Sequence, residues 1–227
     1  MKTVQRNFFL YTAIGCGVFV ALTLVGMLVY PGGSHSNLAQ AGYSFSHNFF
    51  SDLGLRTAHN GQPNPVAGTL FFIALTLAGL TLALFFIQFR GFFLDTRRDQ
   101  IISLLGALLG VGAGICFIGV AFTPADVKLE AHILFVTWAF RLFPLAVLCF
   151  TLVMFNSEAL PRGYGYVLLG FFALLAAYYL LLTQGPGFET ANGLVIQAVG
   201  QKIIVYASIV SIMVVSVGAW RKKIGSE

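Results

Sequence analysis

Between positions 101 and 122 the chain reads IISLLGALLGVGAGICFIGVAF, 22 consecutive residues without a charge. A helix rising 1.5 Å per residue crosses the hydrocarbon layer of a bilayer with about 20 apolar residues, so this stretch predicts a transmembrane helix. Within it Gly106, Gly110 and Gly114 recur four apart, a small-residue ridge that lets a second backbone approach closely and reads as packing rather than a ligand groove. Working outward, five further runs have the same character, at 8–29, 66–87, 131–155, 164–182 and 194–220. Asn64-Pro65, Pro124, Pro161-Arg162-Gly163 and Gly185-Pro186-Gly187 punctuate the breaks, with Asn64 expected to cap the second helix and Pro65 to open it. Of the 227 residues 58% are apolar and 9% charged, against about 25% charged in a soluble domain. That composition excludes a water-facing globule and a disordered chain alike. The expected fold is a single all-α domain over 1–227, a polytopic membrane protein built as a six-transmembrane-helix bundle.

The first run is too long for a signal-peptide core of about 7–15 residues, and it reads as a retained helix although Ala39-Gln40-Ala41 imitates a cleavage site. Orientation follows from the basic residues. One side of the bundle carries Lys2, Arg6, Arg90, Arg97, Arg98, Arg162, Arg221, Lys222 and Lys223; the other carries Arg56 and Lys128. The positive-inside rule puts both termini in the cytoplasm and the protein in the cell membrane. The net charge of +5 is therefore a topology signal. No basic run is interleaved with aromatics, so nucleic acid is not an expected partner. Cys16, Cys116 and Cys149 each lie in an apolar run and read as packing residues rather than a disulfide or zinc framework.

The polar residues concentrate on the extracytoplasmic side. The 31–64 connection far exceeds the roughly 12–15 residues beyond which loops are functional or disordered. Its centre, YSFSHNFFSDLGL from Tyr43 to Leu55, mixes aromatics with compact polar groups. Read as a short amphipathic helix ended by Gly54, it aligns Ser44, His47, Ser51 and Asp52 on one face, lying on the membrane surface or folded over the bundle. Two cations sit inside spans: Arg141, ten residues into the fourth run, and Lys202, eight into the sixth. Each costs about 2.5–3.5 kcal/mol near the bilayer centre, and no Asp or Glu lies at their depth. Glu130, Thr137 and Arg141 form a stripe on the fourth helix, and Gln197, Gln201 and Ser208 form one on the sixth with Lys202 on its flank. Such stripes are expected to face each other. Together with Asp126 they outline an outward-facing polar pocket.

Ser46, Ser51, Asp52, His47 and His132 are residue types for nucleophilic or acid–base chemistry, with Ser51, Asp52, His132 and His47 the catalytic candidates. Their spacing specifies no triad. A metal held by His47, Asp52 and His132 is the weaker reading, since no histidine pair shares a helix face. His35 and His59, in the loop flanks, rank lower still. No cofactor signature is present, so none is expected.

Ser51-Asp52-Leu53-Gly54 after the first span, Asn64-Pro65 with Phe71-Phe72 opening the second, and Phe122-Thr123-Pro124-Ala125-Asp126 followed by His132 resemble the domain-of-unknown-function family 998 of six-span bacterial and archaeal membrane proteins. More distantly, the arrangement is similar to autophagy-modulator and GPI-anchor-remodelling membrane proteins. The resemblance implies the six-span fold, attention to Ser51, Asp52, Pro65, Asp126 and His132, and lipid handling at the non-cytoplasmic leaflet. It names no reaction.

The functional expectation is a pocket that binds an anionic group, chiefly a lipid headgroup. Arg141 and Lys202 form its floor, Gln197 and Gln201 donate hydrogen bonds, and Asp126 and Glu130 complete the polar set. Membrane lipids are the expected partners, and lipid hydrolysis or acyl transfer the expected type of any chemistry. A small-solute transporter and a non-catalytic assembly or scaffold protein are the alternatives.

Overall fold

The computed structural model describes residues 2–225, with side chains from 7 to 222, so the side chains of Lys2, Arg6 and Lys223 lie outside the described residues. Six helices dominate: α1 (Lys2–Val29), α2 (Pro65–Phe89), α3 (Arg97–Ala121), α4 (Leu129–Asn156), α5 (Arg162–Gln184) and α6 (Ala191–Gly225). All six are long and apolar enough to cross a membrane, and the chain is an integral membrane protein. Each expected run falls within one helix except for Phe122, which caps α3. Most helices extend past the expected limits, because backbone pairing continues into polar sequence beyond the apolar stretch. Among the described residues, extended pairing is limited to the isolated bridges Gly32–Ala41 and Thr57–Pro63.

The helices pack in chain order around a closed ring, α1 against α2 and so on to α6, which returns to α1. With six antiparallel members, both chain ends lie at one end of the bundle and the 31–64 loop at the other. Glycines allow the closest approach. A Cβ on Gly79 would fall 2.5 Å from the Gly114 carbonyl oxygen, so α2 and α3 touch through their backbones. Gly110 and Gly106, on the same ridge, receive the rings of Phe86 and Phe150. The ridge is a packing surface, as its spacing suggests.

The two ends are built differently. Near the termini, buried Phe9, Phe85, Phe86, Phe89, Phe93 and Phe150 interlock. Phe86 stacks on Phe150 at 5.3 Å and Phe85 on Phe89 at 5.0 Å. Near the loop, a second core gathers Phe19, Tyr30, Leu53, Phe71 and Leu75 around Phe50, which the loop inserts from above. Phe50 stacks on Phe19 at 6.0 Å and meets Phe71 at 5.9 Å.

Candidate functional site

The loop forms no α-helix between Tyr43 and Leu55. Residues 44–48 make a turn closed by Asn48 N–H donating to the Ser44 carbonyl (3.0 Å), Phe49 is extended, and Phe50–Gly54 is a 3-10 helix. The expected common face of Ser44, His47, Ser51 and Asp52 is therefore broken. His47 Nδ1 pairs locally with Ser46 Oγ (2.8 Å) and Ser44 Oγ (3.3 Å), whereas Asp52 turns inward and is 4% exposed. The physical reason is competition from α6. Gln201 Oε1 accepts from Phe50 N–H (2.6 Å), and the Lys202 ammonium donates to the Asn48 carbonyl, so groups that an α-helix would pair internally are paired across the structure.

Lys202 is completely buried. It also donates to the Ala198 carbonyl (3.0 Å), and its charge lies 5.3 Å from the Tyr43 ring centroid and 5.2 Å from that of Phe45. Two carbonyls and two aromatic faces surround the ammonium, and the Asp52 carboxylate, joined to it through Asn48, acts on it electrostatically. Charged hydrogen bonds of about 1.5–3 kcal/mol and cation–π contacts of about 2 kcal/mol when desolvated offset the cost of burial.

The other expected pocket residues take separate places. Arg141 does not join Lys202. It is exposed on the bundle's outer surface, its guanidinium 5.3 Å from the Trp138 ring centroid and its Nε donating to Tyr179 Oη of α5 (3.3 Å). Glu130 is exposed as well. The α4 stripe consequently faces away from the ring's interior, and no floor shared by Arg141 and Lys202 forms. The reason is directional: α4 turns Val136, Phe140 and Phe143 toward the cavity that Gln201 and Ser208 of α6 also line, which leaves Arg141 on its outer side. Gln197 clamps the α5–α6 turn by donating to the carbonyls of Leu181 (3.0 Å) and Pro186 (3.1 Å). Asp126 accepts from the backbone N–H groups of Arg56 and Thr57 (2.9–3.1 Å), tying the loop to the α3–α4 turn. His132 is buried with Nδ1 2.7 Å from the Thr123 carbonyl oxygen. Among the described residues, the hydrogen bonds of His47 and His132 go to these groups and not to Ser51.

Asp52 is instead the centre of a different cluster. Its Oδ2 accepts from Asn48 Nδ2 and from Phe49 N–H, both at 3.0 Å, and lies 3.2 Å from His59 Nε2. The donor atoms of His35, Asp52 and His59 all fall within 4.8 Å of one another, a grouping of metal-ligand types among the described residues. The Asp52 carboxylate raises the His59 imidazole above its ordinary value. Burial pushes His35 below its own and the Tyr30 phenol, which receives His59 N–H at 3.3 Å, up to about 12. Asn64 stands at the N-cap of α2 as expected, but its side chain makes no cap hydrogen bond. It straps the 3-10 helix by donating from Nδ2 to the carbonyls of Leu53 (3.1 Å) and Leu55 (2.8 Å), while Pro65 opens α2 as expected.

Sequence reasoning passed over Asn48 and ranked His35 and His59 last. A signal was present: three of the four histidines and Asp52 share one loop bracketed by Gly32-Gly33 and Asn60-Gly61. Reading those glycines as sites of close backbone approach would have brought the loop flanks together.

Beneath the 3-10 helix the ring holds a partly open cavity of about 100 Å³. Its wall is mainly apolar, from Cys16, Phe19, Leu75, Phe117, Phe140 and Ile209 among others, with Ser51 and Gln201 where the loop closes it. No family model, no curated protein and no solved structure matches the chain.

Proposed function

We propose that the protein binds a membrane lipid, taking an apolar segment into the central cavity with the lipid's polar group beside the loop cap, on the outward face of the cell membrane. The observation that carries this reading is the cavity itself: an apolar recess at the centre of a membrane bundle, bounded by Ser51 and Gln201 at its loop end. A volume near 100 Å³ suits a few methylene groups rather than a whole chain; an engineered cavity of about 150 Å³ holds benzene. Arg141 and Lys202 are not needed for it. Membership of family 998, on the Ser51-Asp52-Leu53-Gly54 and Thr123-Pro124-Ala125-Asp126 motifs, belongs to the same proposal, as does lipid handling at the outer leaflet.

Binding is favoured over transport because a cluster of buried phenylalanines packs the termini half of the ring beneath the cavity. It is favoured over hydrolysis or acyl transfer because Ser51 has no histidine hydrogen-bonded to it among the described residues. The test is photolabelling in liposomes with a diazirine-bearing phosphatidylethanolamine. Label is expected on cavity residues of the wild type and at least tenfold less in Ser208→Leu and Ala78→Phe, which fill the recess. Undiminished labelling in folded variants would refute the proposal.

A further inference from the structure

We infer that His35, Asp52 and His59 form a binding site for a divalent first-row transition metal, zinc being the ion the geometry fits best. The site is distinct from the cavity and stands whether or not a lipid occupies it.

The backbone is arranged to bring the three residues together. Gly32 and Gly33 have φ of +129° and +80°, conformations that side chains rarely adopt. A Cβ on Gly33 would lie 2.6 Å from the His59 carbonyl carbon, so only glycine permits the approach. Asn60 secures it, donating from N–H to the Gly32 carbonyl (3.2 Å) and from Nδ2 to the Pro31 carbonyl (2.9 Å). The His35 and His59 ring centroids consequently lie 4.4 Å apart, although the residues are 24 positions apart in sequence. Asp52 arrives from the 3-10 helix.

The surrounding groups have the character of a metal site's outer shell. Metal-binding carboxylates are themselves held by hydrogen bonds that fix their orientation. Asn48 Nδ2 contacts both Asp52 Oδ2 (3.0 Å) and the Gly33 carbonyl (2.8 Å), linking the carboxylate to the glycine segment that carries His35. Phe49 N–H holds the same oxygen (3.0 Å).

The rival arrangement is a plain imidazolium–carboxylate pair between His59 and Asp52. Two observations weigh against it as the whole account. His59 Nε2 is shielded from solvent yet has no aligned hydrogen-bond partner, despite lying 3.2 Å from the carboxylate oxygen. An ion pair of two residues also gives no role to His35. Two donors bound to zinc at about 2.0–2.1 Å with a tetrahedral angle lie about 3.3 Å apart, close to the observed Asp52–His59 separation. His35, an exposed residue whose ring already lies against that of His59, must move inward to complete the triangle.

Two imidazoles and one carboxylate carry a single negative charge and select zinc-class ions over calcium or magnesium, which require more oxygen donors. Three protein ligands leave at least one coordination position open. His35 packs against Phe49 and Phe188 with ring centroids at 5.7 and 5.4 Å, so an aromatic wall borders the site on the side of the α5–α6 turn.

The test uses the full chain in mild detergent, stripped with chelator and then titrated with zinc by calorimetry and elemental analysis. One zinc per chain is expected, uncompeted by excess magnesium, and cobalt in its place should give the visible d–d bands of a four- or five-coordinate ion. His35→Ala and His59→Ala should each weaken zinc binding at least tenfold, while His47→Ala binds as the wild type. His35→Ala changes an exposed side chain, and an unchanged melting temperature in chelator would confirm that its loss is not misfolding. No zinc uptake by the wild type, or wild-type affinity in either His35→Ala or His59→Ala, would overturn the site.

Discussion

The termini end and the loop end of this bundle use opposite means to hold their shape. At the termini end, rings of Phe85, Phe86, Phe89 and Phe150 fill space between helices whose backbone groups are already paired within themselves. Lipid is as apolar as those rings, so the gain is close packing rather than escape from water. At the loop end, irregular backbone is buried, and its carbonyls and amides must find partners individually. Lys202, Gln201 and Asn64 supply them from outside the segment they serve. Polar residues within and beside membrane spans therefore need not mark a ligand. Here several of them pair the backbone of the chain's own loop.

The contrast can be broken experimentally. The largest effect is expected from Phe150→Ala, which removes a completely buried ring touching three other phenylalanines and should cost about 3–5 kcal/mol. It should lower the melting temperature while leaving hydrogen exchange over 43–55 near the wild-type pattern. Lys202→Met comes next, at about 1.5–3 kcal/mol for a lost charged hydrogen bond, the Asn48 carbonyl keeping only the long 3.5 Å contact from Tyr43 Oη. Its signature is reversed: exchange should rise sharply over 43–55, with a smaller change in global melting. If Lys202→Met instead melted the whole bundle and left the loop protected, the distinction between the ends would fail.

Asn64→Leu should cost about 1–2 kcal/mol by leaving the Leu53 and Leu55 carbonyls without their strap, seen as faster exchange at 53–57. Asp126→Ala is expected to cost less than about 1 kcal/mol, because water can replace the carboxylate at the exposed Arg56 and Thr57 amides. Arg141→Leu should have the smallest effect, with melting and lipid labelling both unchanged, since its guanidinium lies on the bundle's outer surface against Trp138 and Tyr179. Loss of lipid in that variant would revive a cationic site on α4.

Particular residues show how far the sequence could be read. The uncharged run at 101–122 led directly to α3, and its glycine ridge to a close backbone approach whose partner, α2, only the structure named. The depth of Lys202 correctly singled it out as a cation needing unusual partners. Arg141 had the same depth and residue class, yet faces outward, because helical periodicity groups residues on a face without saying which neighbour that face meets. The 43–55 segment misled for a related reason. Its local pattern permits an α-helix, but Gln201 and Lys202 draw off the backbone groups such a helix would use.

By itself the sequence determined the number and order of the membrane helices, since each satisfies its backbone internally and answers chiefly to local composition. Tertiary structure alone decided that α4 turns its polar stripe outward, that α6 straps the loop, and that His35 and His59 meet at Asp52. Those outcomes rest on hydrogen bonds and close approaches between residues dozens to more than a hundred and fifty positions apart, which no local pattern encodes.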